Sequence, residues 1–166
     1  IKWTRINATT HDIEESGTIG DSTHDYYYGS IAVNPTGQVV IGYTRSGSTQ
    51  FASSYASVGQ FNGTATQFLL PTLLQAGAGN YNVTGGGSNR WGDYSQTTID
   101  PLDSLKFWTI EEYASGTNTW STAITEIDFA AAPEPSSLAM LLLIGATLSL
   151  RRRRQPRPSG TLAFGG

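Results

Sequence analysis

The chain is 166 residues long and contains no cysteine, which excludes disulfides, thiolate metal sites and cysteine nucleophiles. Only 14% of its residues are charged, and it holds 19 glycines, 8 tyrosines and 4 tryptophans, a composition that favours strands and turns. Residues 1–132 carry five Lys or Arg against twelve Asp or Glu, and this acidic balance argues against nucleic acid as a partner.

The N-terminal segment, residues 1–6, contains Trp3 and is predicted to be a strand. Because the chain starts without methionine inside this strand, we expect it to be a fragment whose N-terminal part is missing. An acidic stretch follows and predicts a solvated loop, with a calcium site as the alternative. Its carboxylates are Asp12, Glu14, Glu15, Asp21 and Asp25.

Two groups of three strands come next, with turn signals between the strands. The first group is residues 28–34, 38–45 and 50–58, and the second is residues 94–100, a strand through Phe107, and residues 120–129. Alternation in the second strand of the first group places Val39, Ile41 and Tyr43 on one face. Leu105, Phe107 and Thr109 take the corresponding positions in the second group.

These two groups form an internal repeat. Adding 66 to the residue number takes Val33 to Ile99, and adding 69 takes Tyr55 to Ile124. We expect the three additional residues in the turn at residues 115–118. An insert rich in Gly, Asn and Thr separates the two groups.

Repeated units of short antiparallel strands are typical of β-propeller blades. The predicted fold class is therefore all-β, a partial β-propeller over residues 1–129 with blades at about residues 24–75 and 90–129. Two blades do not close a propeller, which agrees with a missing N-terminal part. A β-sandwich is the alternative.

Residues 89–95 read Asn-Arg-Trp-Gly-Asp-Tyr-Ser, and residues 107–113 read Phe-Trp-Thr-Ile-Glu-Glu-Tyr. With the matching segments of the first group, they resemble secreted bacterial propeller proteins of the sialidase-like kind. The resemblance implies the fold more firmly than an activity. Sialidases bind a carboxylate through three arginines, and this body has three, Arg5, Arg45 and Arg90. We expect them to brace turns or pair with acids instead.

Five side chains form the candidate ligand-binding or structural cluster: Arg45, Arg90, Trp91, Asp93 and Glu112. Gly92 permits a tight turn, Trp91 can fill the space between blades, and Asp93 can accept N–H bonds where a strand begins. Glu111 and Glu112 face opposite sides of a strand, so at most one serves a site, and we expect solvation at a strand end. The sequence indicates no catalytic residue, no metal site and no cofactor.

The C-terminal region reads Pro133-Glu134-Pro135, then an apolar run at residues 138–150, then four arginines. These arginines are Arg151, Arg152, Arg153 and Arg154. A helix over residues 136–150 would be about 22 Å long, short of the ~30 Å hydrocarbon core, but flanking arginines lengthen the effective span. We expect one transmembrane helix with the body outside and the arginines in the cytoplasm.

This order of motif, apolar helix and arginine cluster resembles the PEP-CTERM sorting signal of Gram-negative bacteria over residues 133–154, and the predicted sorting-signal region is residues 130–154. The resemblance implies export, a transient stay in the inner membrane and processing by an exosortase near the Pro-Glu-Pro motif. It also implies cell-surface or matrix localisation beside extracellular polysaccharide in a biofilm. Family members usually end soon after the arginines, whereas residues 155–166 follow here and are predicted to be a disordered tail.

Together these features predict an exported, surface- or matrix-sorted β-propeller protein with a binding or structural role rather than an enzymatic one. The alternative is a sialidase-like glycoside hydrolase whose catalytic residues lie mainly in a missing N-terminal part.

Overall fold

The computed structural model describes residues 1–85 and 87–129. Ile1–Phe129 forms one compact unit. The predicted sorting signal with its helix and arginines, residues 130–154, and the predicted tail, residues 155–166, lie outside the described residues. Within the described part of the chain, no helix is long and apolar enough to cross a membrane.

Twelve strands form in the described residues, and every strand pair is antiparallel, which confirms the all-β prediction. The strands are β1 Lys2–Ile6, β2 Ile13–Thr18, β3 His24–Val33, β4 Gln38–Gly47, β5 Gln50–Phe61, β6 Thr66–Phe68, β7 Thr72–Gln75, β8 Thr84–Gly85, β9 Ser88–Asn89, β10 Gln96–Ile99, β11 Lys106–Gly116 and β12 Thr119–Asp128. The seven predicted strands are all present.

The strands are arranged as two sheets and two hairpins. The first sheet has the order β3-β4-β5-β6, and β7 also pairs with β5. The second sheet has the order β10-β11-β12, while β1 pairs with β2 and β8 with β9. A propeller is a closed ring of blades, and the strands of the described residues do not form such a ring.

The first sheet buries one face, here called the front face, against the β1–β2 hairpin. Val39, Ile41 and Tyr43 of β4 lie in this cluster with Tyr55 of β5, and Trp3 of β1 packs against them. The alternation predicted for β4 is therefore confirmed, since every second residue of a strand faces the same side.

The opposite side of the first sheet, here called the back face, packs against the second sheet. Val40 and Ala56 of the first sheet contact Phe107 of the second, and all three are at most 1% exposed. Ile99 and Ile127 extend the cluster along the outer strands of the second sheet. The two sheets thus pack face to face. This packing places the turns of the β4–β5 and β11–β12 hairpins at the same end of the two sheets.

The acidic stretch near the N-terminus is a solvated loop only in part, since Asp12 and Asp21 lie exposed in loops but a strand forms between them. Glu14 and Glu15 lie on β2 and pair with Arg5 of β1 at 2.7 and 3.3 Å. Glu15 also accepts hydrogen bonds from the backbone N–H and the hydroxyl of Thr66. These bonds lower the pKa of the Glu15 carboxyl, and the backbone N–H has the larger effect. The prediction missed β2 because its acidic residues are paired by a neighbouring strand rather than by the local sequence.

The strand pairing also corrects the offset of the repeat. Val33 pairs with Val39, and Ile99 pairs with Phe107, so Val39 corresponds to Phe107 and the offset in the second strand is 68. The additional residues lie in the turn at residues 100–105 rather than at residues 115–118. The repeat itself remains, with a longer turn in its second unit.

A second register correction concerns the third strand of each unit. Tyr55 pairs with Tyr43, and its counterpart by pairing is Ala123, which pairs with Glu111. Ile124 therefore faces away from the first sheet and is 68% exposed. A shift of one residue moves a side chain to the other face of a strand.

Candidate functional site

A segment that crosses between the two sheets, residues 76–82, begins the site. The Ala78 N–H donates to the Ala114 carbonyl at 2.7 Å, and the Asn118 N–H donates to the Asn80 carbonyl at 2.8 Å. Gly79 lies so close to Gly116 that an added Cβ would be 2.5 Å from the Gly116 carbonyl carbon. The close contact and the two hydrogen bonds hold the crossing segment against the β11–β12 hairpin.

A second segment, residues 90–94, forms a tight turn in front of β11. Gly92 has a φ of +90°, and its N–H donates to Glu112 Oε2 at 2.8 Å. The Trp91 indole N–H donates to Thr44 Oγ1 of the first sheet at 3.2 Å. Gly92 thus forms the tight turn that its residue type permits, and Trp91 links the turn to the first sheet by a hydrogen bond.

Four aromatic side chains and three charged ones surround a cavity of about 270 Å³, here called the aromatic cleft. Tyr81 and Trp91 meet edge to face, with 4.9 Å between ring centroids. Tyr94 and Trp120 are stacked at 5.3 Å with an interplanar angle of 18°, and they are 52% and 43% exposed. The cleft therefore exposes part of a stacked aromatic pair to solvent.

The charged side chains of the cleft are Arg90, Asp93 and Glu112. Arg90 is 88% exposed and contacts Asp93 through Nη2 at 2.7 Å and Nε at 2.9 Å. Among the described residues Asp93 thus accepts from Arg90, rather than from the backbone N–H groups that were expected. Glu112 is 4% exposed. The cleft holds two carboxylates and one guanidinium, and its formal charge is negative.

Arg45, the remaining member of the predicted cluster, lies elsewhere. Its guanidinium lies 3.8 Å from the centroid of the Tyr55 ring and donates to Gln50 and to the Tyr55 hydroxyl. Arg5 pairs with Glu14 and Glu15 on the β1–β2 hairpin. The three arginines of the body share no partner in the described residues, so they do not form a common carboxylate site.

Glu111 occupies a buried polar cluster between the two sheets that the sequence did not indicate. Its carboxyl is fully buried and lies 2.9 Å from both the Ser30 and the Ser95 hydroxyls and 3.3 Å from that of Thr109. Burial raises the pKa of this carboxyl to about 7, although the hydroxyls lower it in part. Both glutamates are therefore buried, and the expected solvation at a strand end is wrong.

Tyr81, Tyr94 and Trp120 are the cleft residues that sequence reasoning missed. Tyr81 lies in the insert, where no periodicity signals a role. Tyr94 and Trp120 are aromatic residues at the starts of predicted strands, and the sequence did not show that their side chains are exposed to solvent. Within residues 1–85 and 87–129, no group of three His, Asp or Glu side chains could hold a metal ion.

Comparisons with protein-family models, with curated proteins and with solved structures give no match to this chain.

Proposed function

We propose that the protein is an exported, surface- or matrix-sorted β protein that binds a glycan in the aromatic cleft. The observation that carries the proposal is the exposed, stacked pair of Tyr94 and Trp120 beside the buried carboxylate of Glu112. A pyranose has one face of C–H groups, which packs on an aromatic ring, and a rim of hydroxyls, which bond to charged acceptors and donors.

The polar groups of the cleft are held in place before a ligand arrives. The Gly92 N–H holds the buried Glu112 carboxylate, and Asp93 pairs with the exposed Arg90. A prearranged site loses less side-chain freedom on binding than a mobile one. This geometry suits recognition, because it places carboxylate acceptors and exposed aromatic rings around one cavity.

A printed array of neutral and uronate-containing oligosaccharides tests the proposal, with the full chain applied in a detergent that lacks a sugar headgroup. We expect binding to at least one oligosaccharide and a loss of about tenfold or more in affinity for W120A. The matched control is W108A, because Trp108 is similarly exposed on the same sheet but does not line the cleft. Absence of binding to every printed sugar would reject the proposal.

Hydrolysis of a sialidase-like kind has less support than binding. Sialidases use a tyrosine nucleophile in place of one of the two carboxylates of other glycosidases, and they bind a substrate carboxylate through three arginines. In the described residues Arg5, Arg45 and Arg90 have separate partners. The described residues therefore do not form the arginine site that a sialidase uses.

The partial β-propeller remains the fold we propose for the body. Support comes from the order of the packed faces: the front face of the first sheet covers a hairpin, and its back face covers the front of the second sheet. Val39 and its counterpart Phe107 both face the preceding element. Consecutive propeller blades stack in this way.

Export and sorting through the PEP-CTERM-like segment complete the proposal. We expect an exosortase to remove the helix and the arginines, which leaves a mature chain that ends near residues 132–137. The intact mass of the protein from a host that has an exosortase measures this directly. An E134A precursor should stay in the inner membrane, and a mature surface protein that still carries Arg154 would contradict the sorting role.

A further inference from the structure

A second cavity of about 400 Å³ adjoins the aromatic cleft. Tyr81 lines both, so the two share one wall. The second cavity, here called the hydroxyl cavity, lies between the β4–β5 turn and the crossing segment, with Phe51 and Tyr27 among its lining residues. Each is a size that holds a small ligand or part of a larger one.

The chemistry of the hydroxyl cavity differs from that of the cleft. Its polar side chains carry hydroxyl or amide groups and no formal charge: Tyr27, Ser46, Ser48, Thr49, Gln50 and Asn80. Hydroxyls and amides both donate and accept hydrogen bonds, as sugar hydroxyls do. Phe51 is 48% exposed and provides an aromatic surface, as Trp120 does in the cleft.

The shared wall is held firmly at both sides. The Gly77 N–H donates to Ser53 Oγ of the first sheet at 2.9 Å, and the Asn82 N–H donates to Asn118 Oδ1 of the second at 2.8 Å. Tyr81 lies between these two points and packs on Trp91. The crossing segment thus sets the spacing between the cleft and the hydroxyl cavity.

We propose that the cleft and the hydroxyl cavity are adjacent subsites for one neutral oligosaccharide chain that passes Tyr81. This inference rests on the proposed glycan binding and names its ligand class. Aromatic surfaces on both sides of Tyr81 would each stack a sugar unit. Hydroxyl and amide groups would pair with sugar hydroxyls along the hydroxyl cavity.

Charge selects a neutral chain over an acidic one. Arg90 is the cationic side chain of the cleft, and Asp93 already neutralises it, while Glu112 adds a negative charge. The hydroxyl cavity offers no cation among its lining residues. An acidic body of twelve Asp or Glu against five Lys or Arg in residues 1–132 repels uronate chains further.

The test measures affinity against chain length for wild type, F51A and W120A, with the full chain and with neutral glucan, mannan and galactan series. Each series runs from monosaccharide through disaccharide and tetrasaccharide to hexasaccharide, with oligogalacturonate as the acidic probe. We expect affinity to rise about tenfold or more between disaccharide and hexasaccharide. F51A should lose that gain and keep disaccharide binding, because Phe51 lines the hydroxyl cavity alone.

Leu73 supplies the control, since it is also 48% exposed and lines neither cavity, so L73A should bind like wild type. Binding that is equal for disaccharide and hexasaccharide, or unchanged by F51A, would overturn the two-subsite inference and leave the glycan-binding proposal standing. Preference for oligogalacturonate would overturn the neutral class. Absence of binding to any series would reject both proposals together.

Discussion

The front face of β4 packs against aromatic and aliphatic side chains, whereas part of its back face packs against hydroxyls and a carboxyl. On the front face, Val39, Ile41 and Tyr43 are at most 6% exposed and pack with Tyr55. A buried polar pair also lies there: the hydroxyls of Tyr43 and Ser57 are joined at 2.9 Å, and burial raises the pKa of Tyr43 to about 12.

On the back face, apolar contact gives way to polar contact along the strand. Val40 packs on Phe107, but Gly42 faces Thr109 and Glu111, and Thr44 donates to the Glu112 carbonyl at 3.0 Å. The difference shows how one strand serves two purposes. Burial of apolar surface stabilises the front, while the polar part of the back fixes the register of the second sheet and hence the aromatic cleft.

The largest effect should come from the front face. We expect I41A to lower the free energy of unfolding by about 2–5 kcal/mol, because Ile41 is 1% exposed and its removal leaves a cavity. Urea denaturation of the full chain measures the loss. I31A is the control, since Ile31 on the neighbouring strand is 52% exposed and should change stability by less than about 0.5 kcal/mol.

The buried carboxyl of Glu111 should make the back face sensitive to pH. Its pKa is raised from 4.5 to about 7 by burial, so the folded state holds its proton more tightly than the unfolded state. The free energy of unfolding is therefore highest below about pH 4.5, where the carboxyl is protonated in both states. It falls as the pH rises towards 7, by on the order of 3 kcal/mol in total.

E111Q isolates this effect, because a neutral amide imitates the protonated carboxyl. Between pH 4.5 and 7, the free energy of unfolding from denaturation curves should fall more steeply with pH for wild type than for E111Q. The difference between the two slopes removes the contribution of every group that the two proteins share. Parallel slopes would show that Glu111 has no raised pKa.

Gly42 should be the next most sensitive position on the back face. A Cβ there would meet the hydroxyl of Thr109 and the carboxyl of Glu111, so G42A should cost about 1–3 kcal/mol through overpacking. Combining G42A with T109A should recover part of this cost, because the nearest atom is then removed. G20A, where the nearest atom is 4.0 Å away, serves as the control in the same thermal denaturation series.

Alternation and turn residues made most strands predictable, and the front face of β4 followed directly from Val39, Ile41 and Tyr43. The strand β2 was not predictable, because Arg5 and Thr66 pair its glutamates from other strands. Within the candidate cluster, the structure brings together the members at the turn before β10 and on β11. Arg45 was wrongly assigned to the cluster, because the sequence alone does not show which face of its strand is nearest the cleft.

The smallest effect should separate two serines on β5 that face opposite sides. Ser54 faces the back and is fully buried, and within the described residues its hydroxyl has no hydrogen-bond partner. S54A should therefore leave stability unchanged or raise it by up to about 1 kcal/mol, since a desolvated hydroxyl is removed. S57A should instead cost about 1–2 kcal/mol, because the buried Tyr43 hydroxyl loses its partner. Chemical denaturation of the two variants side by side measures the sign, and a destabilised S54A would mean that this hydroxyl is hydrogen-bonded after all.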